Sequence, residues 1–201
     1  YTIKTFQGYA KDDPSIPIRC DVSENGFHAV VFNGNKTYAI EPLYRGNKTT
    51  HIVFNKNEMG NNLPIKCSYE SSYRETDATH GDDDIEFRAP SVLRTFELAL
   101  VSSGEYSQQY GGAPYSATNV LNSLASAVNT MNGIYSRDLG IEFVSVTTAA
   151  LVFPDPATDP FNTGDQPGML AQNVVECDNA LGNGGYDVGH LLVWANLGGL
   201  A

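Results

Sequence analysis

The sequence has few cysteines, few basic residues and no long apolar run. Its three cysteines, Cys20, Cys67 and Cys177, are too few and too far apart for a disulfide scaffold, and none stands in a C-x-x-C pair. Twelve Lys and Arg against 23 Asp and Glu give a net charge of -11, the wrong sign for a surface that binds nucleic acid or an anionic membrane. No run reaches the roughly 18 apolar residues of a membrane span. Neither nucleic acid nor a membrane is therefore expected as a partner.

The motifs of several enzyme classes are also missing. The sequence contains no Gly-x-Ser-x-Gly, no P-loop and no His-Glu-x-x-His. Its four histidines, His28, His51, His80 and His190, include no pair at i, i+4 spacing, so the chain alone cannot assemble a recognised zinc site. Strand alternation around His190 predicts a histidine in or near the core.

The composition that remains is that of a globular, secreted protein. Apolar residues make up 41% of the 201 residues, which suffices for a substantial core. Low Lys content with many Asn, Ser, Thr and Gly favours an extracellular location. The start, Tyr1-Thr2-Ile3-Lys4, lacks the features of a signal peptide, and we expect that any targeting segment has been removed.

Residues 1–69 have the pattern of an antiparallel β meander. Apolar side chains alternate at Ile16, Ile18, Cys20 and Val22, and again over residues 63–69, so Cys20 and Cys67 are predicted to point inward. Asn33-Gly34-Asn35 predicts a tight hairpin, and a second turn is predicted at Arg45-Gly46-Asn47.

Residues 70–90 form an acidic stretch with too few apolar residues to nucleate a core. We interpret it as an interdomain linker with two candidate protease sites, Arg74 and Arg88. A charge run such as Asp82-Asp83-Asp84 is interpreted as solvated rather than as a cation site.

Residues 91–201 predict alternating strands and helices. Strands are expected near 96–101, 141–146 and 186–194, separated by two helices. The first helix is capped by Ser116 and ends before Gly140, and the second begins at Pro167 and ends at Gly182. The order β-α-β-α-β predicts a mostly parallel sheet, so the chain as a whole has an α+β fold class.

Two acidic residues lie on the strands of this half. Glu97 and Asp187 occupy equivalent positions on two strands that are otherwise apolar. Either the pair shares a calcium ion with carbonyl oxygens, or both are solvated acids at strand ends; the residues alone leave both readings open.

Three blocks of the second half resemble a known enzyme family. They are Arg94-Thr95-Phe96-Glu97-Leu98-Ala99-Leu100-Val101-Ser102-Ser103-Gly104-Glu105-Tyr106, Val128-Asn129-Thr130-Met131-Asn132-Gly133-Ile134-Tyr135-Ser136-Arg137-Asp138-Leu139-Gly140-Ile141-Glu142-Phe143 and Gly184-Gly185-Tyr186-Asp187-Val188-Gly189-His190. In order and spacing they resemble the N-terminal part of bacterial reprolysin-like zinc metallopeptidases, a branch of the metzincins. The first half, including Gly26-Phe27-His28-Ala29-Val30-Val31-Phe32, resembles the β-rich propeptide of such enzymes.

The resemblance implies a secreted zymogen that hydrolyses peptide bonds in protein or peptide substrates with zinc-activated water. The family's zinc motif would lie beyond Ala201, so this chain is expected to be inactive alone and to need the remainder of its own catalytic domain. Gly198, Gly199 and Leu200 would begin the edge strand that lines the substrate cleft.

Two further site assignments follow from the resemblance. Glu97 and Asp187 match residues that help to bind a structural calcium ion in animal reprolysins. Cys67 is the positional candidate for a thiol that keeps the zymogen latent by binding zinc, although the Gly that usually follows such a Cys is Ser68 here. A buried Cys67 thiol and a Cys20–Cys67 disulfide remain open alternatives.

The competing hypothesis is a non-catalytic module. A stand-alone binding or protease-inhibitory domain would use the exposed edge near Gly198 and Gly199. An apolar edge strand without a partner is an aggregation hazard in a finished monomer, which favours the peptidase hypothesis.

Overall fold

The computed structural model describes residues 3–58 and 92–195. They form a five-stranded antiparallel sheet and a three-stranded parallel sheet with helices. The α+β fold class predicted from the sequence is thus confirmed.

The first sheet is a meander in which each strand pairs with the next. The strands are β1 (Lys4–Tyr9), β2 (Pro17–Ser23), β3 (Gly26–Asn33), β4 (Lys36–Pro42) and β5 (His51–Asn55), followed by a 3-10 turn at Lys56–Glu58. Asn33 pairs with Lys36, so the predicted hairpin closes through a two-residue loop. Gly34 adopts a φ of 58°, which a residue with a side chain rarely adopts. The strand predicted at 63–69 and the linker predicted at 70–90 lie outside the described residues.

The second sheet is parallel, with the order β7-β6-β8. Its elements are β6 (Arg94–Ser102), α1 (Gly104–Gly111), α2 (Ala117–Asp138), β7 (Ile141–Ser145), a 3-10 turn at Ala149–Leu151, α3 (Gln166–Leu181) and β8 (Val188–Leu192). The predicted succession of strands and long helices is confirmed, and the short helix α1 is an element that the sequence pattern did not indicate.

The ends of the long helices follow local chemistry. The Ser116 side chain accepts a hydrogen bond from the Asn119 N–H at the start of α2, and Pro167 lies in the first turn of α3. Gly140 and Gly182, which follow the two helices, have φ angles of 64° and 82°. The predicted helix boundaries are thus confirmed. They could be predicted because each depends on a few neighbouring residues.

The main core lies on both faces of the central strand β6, whose residues 98–101 are all buried. On one face, Leu98 and Leu100 pack with apolar residues of α2, namely Val120, Leu124 and Val128. On the other face, Ala99 and Val101 pack with Leu151, Phe161, Met169 and Cys177. Burial on both faces explains why β6 has a continuous apolar sequence.

The opposite face of α2 packs against strands β2 and β3 of the meander. The β2 side chains that contact α2 are polar: Arg19 reaches Ser136, and Asp21, which is 2% exposed, reaches Ser126. Alternation places Cys20 on the other face of β2, where it is half-buried. The prediction that the apolar residues of β2 face inward is therefore wrong for the contact with α2, because α2 presents hydroxyl and amide groups there.

Candidate functional site

Polar side chains line the contact between the meander and α2. Three hydrogen bonds cross it: Ser126 Oγ to Asp21 Oδ2 at 2.7 Å, Asn129 Nδ2 to the Cys20 carbonyl at 2.9 Å, and Asn25 Nδ2 to the Asn119 carbonyl at 3.1 Å. Arg19 adds a hydrogen bond to Ser136 Oγ at 3.2 Å and lies 4.0 Å from the Glu142 carboxylate. The meander is thus held on α2 by directed contacts as well as by packing.

A small residue on α2 allows the two layers to approach closely. A Cβ atom on Gly133 would lie 2.7 Å from the Phe32 ring and 2.9 Å from Arg19 Cγ. Phe32 is buried at this point, and the Arg137 guanidinium lies 4.8 Å from the centre of its ring. Gly133 is therefore required for this approach.

Asp21, His28 and Glu41 occupy one row across strands β2, β3 and β4. His28 lies opposite Asp21 in the strand register, and its Nδ1 is 3.1 Å from Asp21 Oδ1. Its Nε2 lies 3.6 Å from Glu41 Oε2. With Ser126, whose hydroxyl donates to Asp21, these residues are named the His28 cluster below.

The surroundings of the His28 cluster shift two pKa values. Burial lowers the pKa of His28, but the hydrogen bond to Asp21 and the charges of Asp21 and Glu41 outweigh it, and the net shift is upward. Burial raises the pKa of Glu41 against the opposing charges of His28 and Lys56. The Ser126 hydroxyl contacts the carboxylate and not the imidazole, so this arrangement is not that of a nucleophilic triad.

A cavity of about 540 Å³ adjoins this cluster between the meander and helices α1 and α2. Its charged and polar lining includes Arg19, Asp21, His28, Glu41, Arg45 and Asn122. Asn122 is 4% exposed, and its Nδ2 is buried without a hydrogen-bond partner. The contact therefore contains polar space beside its buried hydrogen bonds.

Aromatic residues connect this cavity with the end of β8. The rings of Tyr106 and Tyr110 stack at 4.4 Å, and the Arg45 guanidinium lies 4.8 Å from the centre of the Tyr110 ring. Arg45 also donates a hydrogen bond to the Gln109 carbonyl. Trp194, just after β8, meets Tyr110 edge-on at 5.9 Å. The loop after β4 thus contacts the aromatic cluster that ends at Trp194.

The two acidic residues predicted to bind calcium are brought together. The Asp187 N–H donates to the Glu97 carbonyl at 2.8 Å, and the Glu97 N–H donates to Asp187 Oδ2 at 2.8 Å. Both residues are exposed. The hydrogen bond from the Glu97 N–H accounts for the position of the Asp187 carboxylate without any bound cation. A calcium ion here would need oxygen ligands in addition to these two residues. The calcium site stays a prediction.

The remaining predicted site residues lie outside the described part of the chain. They are the thiol candidate Cys67 and the cleft-edge residues Gly198, Gly199 and Leu200. Strand β8, which precedes the second group, pairs with β6 on one side, and no other described strand pairs with its second side.

The described histidines do not form a zinc site. His28 lies in β3, His51 in β5 and His190 in β8, and residues 3–58 and 92–195 contain no cluster of three His, Cys, Asp or Glu that fits a metal ion. The His190 side chain is exposed on β8, yet burial around the ring lowers its pKa, so it lies near the core without being enclosed by it.

Sequence reasoning missed the polar contact on α2. The signal was a second stripe at spacings of three and four residues, formed by small and polar side chains at Asn122, Ser126, Asn129, Gly133 and Ser136. Such a stripe opposite an apolar face indicates a helix that packs on both sides.

Comparison with known proteins identifies the second half. A family model described as metallopeptidase family M12B, reprolysin-like, matches residues 92–198, which is more than half of the 201 residues. A search of curated proteins gives no match. Within the described residues, no helix combines the length and hydropathy of a membrane span. The matched region coincides with the sheet β7-β6-β8 and its helices, and the chain therefore belongs to the reprolysin-like metallopeptidases of family M12B.

Proposed function

We propose that this chain is the propeptide and the N-terminal catalytic subdomain of a secreted, zinc-dependent metalloendopeptidase zymogen. The observation that carries the proposal is the family match over residues 92–198 on a parallel sheet backed by α2. Protein or peptide substrates follow from the family. The acidic composition, with a net charge of -11, supports secretion.

The catalytic metal is assigned to residues outside this sequence. The described residues provide no group that fits zinc, and no His-Glu-x-x-His motif stands among the 201 residues. In the complete enzyme zinc would supply an activated water molecule. This chain would supply the sheet and the supporting helix α2. The residues that follow β8, with Gly198, Gly199 and Leu200, would form the edge to which an extended substrate adds as a strand.

The contact on α2 supports a propeptide role for the meander. Its hydrogen bonds, ion pair and adjoining cavity resemble a separable interface more than a continuous apolar core. A polar surface of α2 remains compatible with water after the meander has left. The meander is therefore suited to removal once the catalytic domain has folded.

Latency through Cys67 is part of the same proposal. A thiolate at this position would bind the zinc ion in the zymogen and block its catalytic coordination position. Cys67→Ser in the complete protein should therefore give peptidase activity before the propeptide is cut. Cys67→Ser without any gain in zymogen activity would exclude the thiol, and a Cys20–Cys67 disulfide would then be examined by mass spectrometry under non-reducing conditions.

Calcium binding by Glu97 and Asp187 is proposed as a structural element of the subdomain. Added calcium should raise the melting temperature of the chain, and Asp187→Asn should remove that response. Asp178→Asn provides a control, because Asp178 accepts a hydrogen bond from Tyr186 and not from Glu97. An equal calcium response in wild type and Asp187→Asn would rule out the site.

The peptidase proposal is tested with the complete product of the encoding gene. That product should cleave an unfolded protein substrate, lose this activity with a zinc chelator and regain it with zinc, whereas residues 1–201 alone should be inactive. Peptide hydrolysis by residues 1–201 alone would contradict the proposal. A complete product without a zinc motif would favour the non-catalytic binding module.

A further inference from the structure

We propose that the His28 cluster makes the stability of the meander pH-dependent: it keeps the meander folded against α2 in acid and stabilises it less as the pH rises through neutrality. The inference goes beyond the proposed function because it concerns the meander and α2 alone. It stands or falls whether or not the complete protein is a zinc peptidase.

The geometry places a titratable group at the centre of the contact. Asp21 is 2% exposed and bridges the two layers, since one carboxylate oxygen accepts from Ser126 of α2 and the other faces His28. When His28 is protonated, its Nδ1–H donates to the buried carboxylate. When His28 is neutral, an Nδ1–H tautomer can still donate to the Asp21 carboxylate, but the ion pair is lost and Asp21 has no counter-charge from His28.

The other charged groups around His28 come from several elements. Glu41 of β4 faces its Nε2, and Lys56 of the 3-10 turn acts on Glu41. Arg19 of β2 and Arg45 after β4 line the adjoining cavity. Helix α2 presents only uncharged groups to the cavity, so it supplies no ionic partner that would replace His28.

Two tyrosines of α1 also line the cavity. Burial raises the pKa of Tyr106 to about 12, against the opposing effect of a hydrogen bond with Ser123, and burial raises the pKa of Tyr110 above its ordinary value. Both tyrosines therefore stay neutral while His28 titrates, and they do not mask its effect.

The direction of the pH dependence follows from the two shifted groups. The pKa of His28 and the pKa of Glu41 are both raised in the folded chain. A group with a raised pKa stabilises the folded state fully below its unfolded pKa, and this contribution is lost as the pH rises through the folded pKa. Glu41 contributes at the acidic end of the range, and His28 contributes around neutrality. Both effects lower the free energy of unfolding of the meander as the pH rises.

The cavity lets solvent reach this cluster. It has room for several water molecules beside His28 and Glu41. Proton exchange with the bulk therefore does not require the meander to detach first. In a zymogen, the meander would be more stable against unfolding in an acidic medium than at neutral or alkaline pH.

The experiment is hydrogen exchange on the intact chain at several values between about pH 5.5 and pH 8, the window in which histidines titrate. Exchange rates are divided by the intrinsic chemical rates, which gives opening constants for the residues of β2 and β3. We expect these constants to rise at least about threefold across the window. A difference of one unit between the folded and unfolded pKa of a group changes an opening constant by up to about tenfold. The constants for β6 should not change.

Variants identify the responsible group. His28→Gln should keep hydrogen bonding without the charge and should flatten the pH dependence. Glu142→Gln is the matched control, because it removes another acid that faces the meander, on strand β7 and 4.0 Å from Arg19. It should keep the wild-type pH dependence. Equal pH dependence in His28→Gln and wild type would overturn the inference.

A direct titration covers the case in which His28→Gln does not fold. The imidazole of His28 in the wild-type chain is followed by NMR, once in buffer and once in denaturant. The proposal requires a higher pKa in the folded chain than in the unfolded one. A folded pKa at or below the unfolded value, or opening constants that are flat or fall with pH, would contradict it.

Discussion

The two faces of helix α2 hold their partners by different means. One face buries Val120, Leu124 and Val128 against strand β6, and the other meets the meander through hydroxyl, amide and carboxylate groups together with the buried Phe32 ring. The stabilisation from apolar burial is proportional to the buried area and depends little on pH. The free-energy cost of a buried carboxylate instead depends on each of its hydrogen-bond and charge partners. One helix thus combines an apolar face with a face on which individual hydrogen bonds contribute much of the contact.

The largest expected effect lies on the apolar face. Leu124→Ala removes a side chain that is 1% exposed and leaves a cavity beside Leu98 and Leu100. We expect the free energy of unfolding to fall by about 2–5 kcal/mol. Urea unfolding followed by circular dichroism measures it. The control is Leu139→Ala, at a residue that is 59% exposed, and equal losses in the two variants would contradict the apolar assignment.

The next effect lies on the polar face. Asp21→Ala leaves His28 and Ser126 without their shared carboxylate, which should cost about 1–3 kcal/mol. The loss should appear in the opening constants of β2 and β3 and leave those of β6 nearly unchanged. Asp12→Ala, in the exposed loop after β1, is the control. A loss spread evenly over β3 and β6 would show that the two layers unfold as one unit.

The smallest effect concerns a single hydrogen bond. Ser126→Ala removes the donor at 2.7 Å from Asp21 but keeps His28 in place, so about 1.5 kcal/mol should be lost, the lower end for a hydrogen bond to a charged group. Because the titrating groups remain, the pH dependence of meander opening should persist. The same exchange experiment measures the lost free energy and the pH dependence. Opening constants that do not change with pH in this variant would show that the titrating groups of the His28 cluster do not cause the pH dependence.

The elements that the sequence predicted correctly depend on local chemistry. Ser116, Gly140 and Gly182 fix the ends of α2 and α3, and Gly34 fixes a hairpin, because each acts within a few residues of its own position. Helix α1 was missed because it has no apolar stripe. It is held by contacts from elsewhere, such as the hydrogen bond from the Gly104 N–H to Asp159.

The candidate site was harder to predict because its partners are distant in sequence. Asp21 and Ser126 are separated by 105 positions, and the alternation of β2 favoured the opposite set of side chains as the buried one. His190 is not enclosed by the core because β8 lies at the edge of the described sheet, and alternation cannot distinguish an edge strand from a central one. The pairing of Glu97 with Asp187 was anticipated, but the backbone hydrogen bond that accounts for it was not.

One measurement tests most directly whether the meander is a removable layer. A single site for a specific protease is introduced between residues 59 and 91, the chain is cut, and the two parts are separated by size-exclusion chromatography in increasing urea. The account predicts that the parts co-elute in buffer and separate at a urea concentration at which the helical circular dichroism of residues 92–201 is retained. Separation only after that helical signal is lost would contradict it.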